Sequence, residues 1–369
     1  MGETEFEYGN ALAVQRWASD LAYEADKQSY FRKFMGEGPD NIIVVRKELV
    51  KKAGEKITFG LRMKLDGDGV EGDNIIEGTS AETAMTFYND SLFIDQRRKG
   101  TKSKGKMTEQ RVPYNLRKEG RDALAIWWAE DYDEQLFMYL SGNRGVTSAS
   151  DFHTAVGYTG RANNSFDSPD SSHHLYAGNA TSVATIDAND KMSMEEVERA
   201  VAFLETSDPM IQPAARIGGE LKHVLLMHTW CAYDIRRSIS QGDWLEIHKA
   251  TDGEKSPIYK NSLGEYAGIV LHKHRNVIRF NNSEGDTNTA SGVTASRNLL
   301  LGAQAAVIAW GGDGGPGRYT WNEETDDRGN ALVITSGAIY GVSKIVFNSL
   351  AFGVVAFDSY CDNPNSSSE

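Results

Sequence analysis

Ile57, Phe59, Leu61, Met63 and Leu65 alternate strictly with Thr58, Gly60, Arg62 and Lys64. Successive side chains of an extended chain point to opposite faces, so this pattern predicts a strand with one apolar face. A Gly/Asp-rich stretch follows, Asp66-Gly-Asp-Gly-Val-Glu-Gly-Asp-Asn74, and a second strand-like run returns from about Met85 to Gln96. The pair reads as a long β-hairpin with an irregular, acidic tip. An isolated hairpin is marginal in water. Its apolar face therefore needs a surface that the hairpin itself does not supply.

Composition narrows the setting. The chain has 369 residues, room for two or three ordinary domains or one large domain with extensions. With 40% hydrophobic residues it can bury a real core, and its net charge of -13 argues against a generic nucleic-acid binder. Two cysteines, Cys231 and Cys361, make no disulfide framework. The start, Met-Gly-Glu-Thr-Glu-Phe-Glu, lacks the apolar core of a secretory signal. The apolar runs Leu299 to Trp310 and Leu350 to Phe357 are too short to span a bilayer. The expectation is a soluble, acidic protein made inside a cell, with no membrane partner.

Residues 1 to about 41 read as an arm, with a short helix over 10–34 that ends at the breaker cluster Gly36-Glu-Gly-Pro39. After the hairpin comes a basic run without an acid, Arg97-Arg-Lys-Gly-Thr-Lys-Ser-Lys-Gly-Lys106. Thr108 then caps a helix with Glu109 and Pro113 in its first turn. The helical pattern runs to Leu140 and stops at Ser141-Gly142. At 1.5 Å per residue it reaches roughly 48 Å. Val112, Leu116, Ala123 and Trp127 share one side, whereas Tyr132, Leu136 and Tyr139 lie nearly opposite. Glu130, Asp131 and Glu134 take over the first side, so different neighbours must pack along its length, as on a spine. Residues 142–190 form a loop-rich excursion, functional or mobile by its length. The capping box Ser193-Met-Glu-Glu196 opens a helix to about 206. His223–His228, Tyr266–His272, Leu332–Ser336, Val342–Phe347 and Gly353–Phe357 read as strands, Tyr233–Arg237 as helix, and Leu299–Trp310 as either.

The search for chemistry returns little. Asp66, Asp68 and Glu77 fit an EF-hand loop, but Val70 and Glu71 stand at its ligand and glycine positions, which favours a solvated tip. His272 and His274 share a strand face without a metal-ligand partner at a recognisable spacing. The carboxylates of Trp127-Trp-Ala-Glu-Asp-Tyr-Asp-Glu134 crowd one turn instead of flanking a sugar, as a solvated or interface-paired face would. Gly311-Gly-Asp-Gly-Gly-Pro-Gly317 lacks both phosphate-loop and dinucleotide spacing, and no Gly-x-Ser-x-Gly elbow exists. No enzyme and no cofactor is expected. The basic run against the acidic tip suits pairing with copies of the same chain better than DNA binding.

The order of parts — arm, long hairpin, spine helix, mixed domain, two late strands — resembles the α+β fold of tailed-phage major capsid proteins, named after phage HK-ninety-seven. More narrowly it is similar to the N-four-like family. The residues carrying the resemblance are Tyr88-Asn-Asp-Ser-Leu-Phe-Ile-Asp-Gln96 and Lys106-Met-Thr-Glu-Gln-Arg-Val-Pro-Tyr-Asn-Leu-Arg-Lys-Glu119. To these are added the Trp127-Trp128 helix, Gly264-Glu-Tyr-Ala-Gly-Ile-Val270, Gly341-Val-Ser-Lys-Ile-Val-Phe-Asn348 and Phe352-Gly-Val-Val355.

The resemblance implies an N-terminal arm at 1–50, an E-loop hairpin at 51–107 and a P-domain spine helix at 108–141. It implies mainly A-domain over 142–340, with P-domain strands and loops, and C-terminal strands and tail at 341–369. It implies hexamers and pentamers of an icosahedral shell around double-stranded DNA, assembled in the bacterial host cytoplasm and ending in the virion. Implied partners are further copies of the chain, a portal, a separate scaffolding protein, packaged DNA bound without sequence specificity, and a decoration protein. Neither Lys64 nor any Asn takes an assigned cross-linking role. The candidate subunit-interface residues are Trp17, Phe31, Phe59, Leu61, Lys64, Asp66, Asp68, Arg97, Arg98, Lys99, Lys102 and Lys104. A carbohydrate-binding or glycan-active β-rich protein, and a phage tail or tube protein, remain as alternatives. In a shell, the excess acid becomes an inner wall that does not grip DNA.

Overall fold

The computed structural model describes residues 11–65, 67–78, 81–111, 113–145, 152–155, 157–161, 163–207, 210–217, 220–239, 262–280, 295–312 and 318–364. The helices are α1 (Ala11–Gln28), α2 (Lys106–Arg111), α3 (Leu116–Ser141), α4 (Met194–Thr206) and α5 (Thr229–Ser238). The main strands are β1 (Ile43–Arg46), β2 (Lys56–Arg62), β3 (Phe87–Phe93), β4 (Asp95–Lys102), β5 (His174–Tyr176), β6 (Glu220–His228) and β7 (Gly264–Tyr266). They continue with β8 (Ile269–His274), β9 (Ala295–Leu301), β10 (Ala306–Trp310), β11 (Tyr319–Asp326), β12 (Ala331–Lys344) and β13 (Val354–Tyr360).

Two sheets carry the subunit. The first runs β1-β10-β12-β11, with β4 on the other side of β12. The second runs β7-β8-β6-β9-β13-β5. The apolar run 299–310 is not one element. Its first half ends β9 in the second sheet and its second half is β10 in the first, with a turn at Gln304 (φ 55°) between them. The C-terminal stretch is likewise divided, because β12 belongs to the first sheet and β13 to the second.

The spine differs from a single helix over 109–140. Pro113 cannot continue the backbone ladder, and the chain breaks there into α2 and α3. Asn115, not Thr108, is the working cap: its side chain accepts from the N–H groups of Arg117 and Lys118. The stop is at the expected place, with Gly142 in the left-handed region (φ 71°). A Cβ at Gly142 would lie 2.2 Å from the Asp167 carbonyl, so the site also excludes bulk.

The face of α3 differs too. Leu124, Ala125, Trp128 and Ala129 are buried in its first half, while Ala123 is exposed and Trp127 half-buried. From Asp131 to Ser141 every residue is buried, because α3 packs on both sheets. Trp128 Nε1 donates to Ser336 Oγ in the first. Arg297 of the second donates to the Ser141 carbonyl. Helix α4 forms as the capping box predicts, with Ser193 Oγ accepting from Glu196 N–H.

The excursion at 142–190 is tied down where it is described. Asn164 brackets Phe93, accepting from its N–H (2.9 Å) and donating to its carbonyl (2.8 Å). Tyr139 donates its hydroxyl to the Asn164 carbonyl, and Lys344 donates to the carbonyls of Asp167 and Ser168.

Candidate functional site

The hairpin is β2 paired antiparallel with β3, from Lys56↔Phe93 to Arg62↔Phe87. Its root is part of the subunit. Ile57 and Leu92 are buried with Val307, Ala309, Ile345 and Phe347. Phe59 and Leu61 are half-buried against that cluster, and the Phe59 ring meets Phe347 edge-on at 6.0 Å. Asp90 fixes the crossing by accepting from Val346 N–H, and burial raises its carboxyl pKa. Phe59 and Leu61, candidate subunit-interface residues from the sequence, thus also pack the hairpin onto its own subunit.

Beyond Arg62 the hairpin leaves the body. Lys64 and Asp68 are exposed there, and Asp66 lies outside the described residues. The large exposed apolar side chains past that point are Met63 (39% exposed), Leu65 (59%), Ile75 (77%), Ile76 (54%), Met85 (60%) and Phe87 (62%). Among the described residues, six of the twelve exposed large apolar side chains lie on this one hairpin, which singles it out as the candidate contact surface. None of the six was among the sequence-based interface candidates, although Met63 and Leu65 lay on the alternating apolar face; Ile75, Ile76 and Phe87 had not been singled out at all. The signal was available, since Ile75 and Ile76 directly follow the glycine-rich acidic stretch and Phe87 opens the returning strand.

The basic run is not a solvated loop. It forms β4, paired with β12 from Asp95↔Tyr340 to Lys102↔Val333. Its alternation splits the charges. Arg97 ion-pairs with buried Asp131, and Arg97 and Lys99 both lie over the Trp127 ring. On the other face, Arg98 lies against Gly337, and Lys102 pairs with Asp326 of β11. Arg98, Lys99, Lys102 and Lys104 are exposed.

The two arm residues among the interface candidates, Trp17 and Phe31, are packed within their own subunit. Phe31 is 0% exposed, packed on Phe34 and Phe137 of its own chain, which leaves it no surface for another subunit. Trp17 stacks on Trp321 at 5.9 Å with Arg121 on the ring. The arm is latched by Asp133, whose carboxylate accepts from Ser29 Oγ (2.8 Å), Tyr30 N–H (2.7 Å) and Phe31 N–H. It thereby caps the short 3-10 turn Phe31–Phe34 from another element.

Asp131, Asp133 and Glu134 of the acidic turn of α3 are thus buried within their own subunit, while Glu130 stays exposed. Asp131 meets Arg97 and the Tyr340 hydroxyl, and Glu134 accepts from His153 N–H. Burial pushes Asp133 up to about 6 and Glu134 up to about 7, against hydrogen bonds that favour their charged forms. These carboxylates are closed off by their own chain and flank no open sugar site. His272 and His274 pack as aromatics, His272 edge-on to Phe34 and His274 stacked on Phe137. Among the described residues, no group of three or more His, Cys, Asp or Glu side chains could hold a metal ion. No described helix is long and apolar enough to cross a membrane.

A family model described as phage capsid protein matches residues 5–362. The chain belongs to that family. The major capsid protein of Pseudomonas phage KPP25 is 26% identical over 349 residues, 90% of this chain and 89% of that one. The capsid structure of Ralstonia phage GP4 is 38% identical with a TM-score of 0.83, covering 99% of this chain and 100% of its own. The capsid of cyanophage Pam1 shares the fold at a TM-score of 0.70 and 17% identity, over 98% of this chain and 95% of that one. The fold is the tailed-phage capsid fold of the HK-ninety-seven type. This is a phage major capsid protein, a structural component of the virion and not an enzyme, and it self-associates into a shell. The glycan-active alternative is set aside by the same family match.

Proposed function

We propose that this capsid protein builds an icosahedral shell of hexamers and pentamers in which each hairpin tip lies on a neighbouring subunit. The observation that carries the reading is the exposed apolar set Met63, Leu65, Ile75, Ile76, Met85 and Phe87, beyond a root held by its own subunit. A neighbouring surface removes that set from water. Charge supplies the orientation. Asp68, Glu71, Asp73, Glu77 and Glu82 are exposed in the tip, and Arg98, Lys99 and Lys104 are exposed on and just after β4. Opposite charges on one chain favour head-to-flank contact between copies and resist tip-to-tip contact.

In this reading residues 1–50 are the arm, 51–107 the E-loop and 108–141 the spine. Residues 142–340 are mainly A-domain, and 341–369 hold the C-terminal strands and tail. Lys64 is a further tip contact, while Trp17 and Phe31 support the interface from inside. The partners are a portal, a separate scaffolding protein, a decoration protein and DNA held without sequence reading, with assembly in the host cytoplasm. The net charge of -13 suits a container that does not bind its cargo.

Sedimentation velocity of the expressed chain, with scaffolding protein present, tests the reading. The expected result is capsomers and shells for the native chain and unassembled folded subunits for a Met85→Asp, Phe87→Asp variant. Normal shells from that variant would overturn it.

A further inference from the structure

The only two cysteines of the chain, far apart in sequence, are brought together inside the second sheet's packing. Cys231 lies in the first turn of α5 and Cys361 directly follows β13. Both are wholly buried and the thiols interact with each other. Cys231 Sγ lies 3.6 Å from Ser359 Oγ, and Cys361 Sγ lies 3.4 Å from His228 Nδ1. That ring nitrogen also accepts from Trp230 N–H, which makes it the unprotonated one.

We propose that Cys231 and Cys361 form an intrasubunit disulfide when the protein meets a small-molecule disulfide, stapling the end of β13 to α5. The pair needs no rearrangement to be neighbours, and because burial raises the Cys361 thiol pKa well above its ordinary value, Cys361 reacts only when its segment opens to water. The Cys361 thiol, the Ser359 hydroxyl and the Ser296 hydroxyl donate towards Cys231 and lower its thiol pKa. Burial holds His228 down to about 3, so it stays neutral and can accept the Cys361 proton.

Access comes from the segment that follows β13. Cys361 is buried, but Asp362 and Pro364 just beyond it are exposed. Exposed segments outside a strand open at lower free energy than sheet interiors. Opening there exposes Cys361 first. Its thiolate attacks one sulfur of oxidised glutathione, forming a mixed disulfide and releasing one glutathione thiol. On reclosure Cys231 attacks the Cys361 sulfur and releases the second glutathione thiol. Two cysteine thiols lose two protons and two electrons, and one small disulfide becomes two thiols. The consequence is mechanical: β13 lies between β9 and β5 in the sheet, and the staple stops it fraying from its C-terminal end. A cell interior keeps such a pair reduced, and release into an oxidising medium closes it. The staple itself does not depend on the shell reading.

The test uses the full unassembled chain, incubated with oxidised glutathione or with dithiothreitol, then denatured in excess maleimide. Intact mass after oxidation is expected to show no maleimide added and two hydrogens lost; the reduced sample is expected to carry two maleimides. The oxidised chain is expected to melt higher, on the order of 5 °C, and Cys231→Ser to abolish that rise. Two maleimides after oxidation, a stable glutathione adduct on one cysteine, or disulfide-linked dimers on a non-reducing gel would each overturn the proposal.

Discussion

Leu92→Ala and Phe87→Asp, five residues apart on one strand, separate the two jobs of the hairpin. Leu92 is 0% exposed, enclosed by Ile57, Val307, Ala309, Ile345 and Phe347. Removing its isobutyl group loses transfer energy and leaves a cavity, about 2–5 kcal/mol in comparable cores. That is a large share of a typical total stability of about 5–15 kcal/mol. Phe87 is 62% exposed, so the unassembled subunit loses little when it becomes Asp, about 0.5 kcal/mol or less. In the shell the order reverses, because a carboxylate in a dry contact is unpaired. Urea unfolding of the assembly-free subunit, followed by tryptophan fluorescence, measures the first effect. Electron microscopy of assembly reactions measures the second. Leu92→Ala is expected to lower the urea midpoint clearly and Phe87→Asp to leave it in place while abolishing shells. Equal midpoints for both variants would refute the division into root and tip.

Asp133→Ala removes the acceptor for three donors and is expected to cost about 2–3 kcal/mol; hydrogen exchange at Tyr30 and Phe31 should rise, and unchanged protection there would remove the latch. The pH dependence carries a definite sign. Asp133 and Glu134 titrate at about 6 and about 7 when folded, above their unfolded values, so the folded state binds more protons in between. Their contribution to stability therefore grows as pH falls from about 7 towards 4 and is lost as pH rises through the folded values. The difference in urea midpoint between wild type and Glu134→Gln, measured at pH 5 and pH 8, should change in that direction; a constant difference would contradict it. Arg297→Met leaves Asp358 charged and buried with only His174 beside it, and is expected to cost about 3–5 kcal/mol, with Asp358→Asn in the same chain recovering part of the loss.

What the sequence disclosed was local. The alternation from Ile57 to Leu65 needs only the two-residue period of a strand, and it marked the hairpin. Ser193 and Glu196 cap one helix and Gly142 ends another within a few residues of themselves. The basic run was opaque because Lys, Arg and Gly are poor strand formers; β4 exists because β12, more than two hundred residues later, supplies its ladder. The burial of Asp131, Asp133 and Glu134 was equally hidden. Their partners are Arg97, the backbone of Tyr30 and Phe31, and His153, none within one turn of helix. At the candidate site, alternation alone could not say where packing on the body stops. It stops near Arg62, so Phe59 and Leu61 fell on the body side and Met63 and Leu65 on the free side.

A cryo-electron microscopy map of particles assembled from this chain tests the central claim most directly. The account predicts a closed shell in which Ile75, Ile76, Met85 and Phe87 of each subunit lie against a neighbour and Leu92 stays within its own. A shell whose tips stand in solvent or fold back on their own subunit would contradict it.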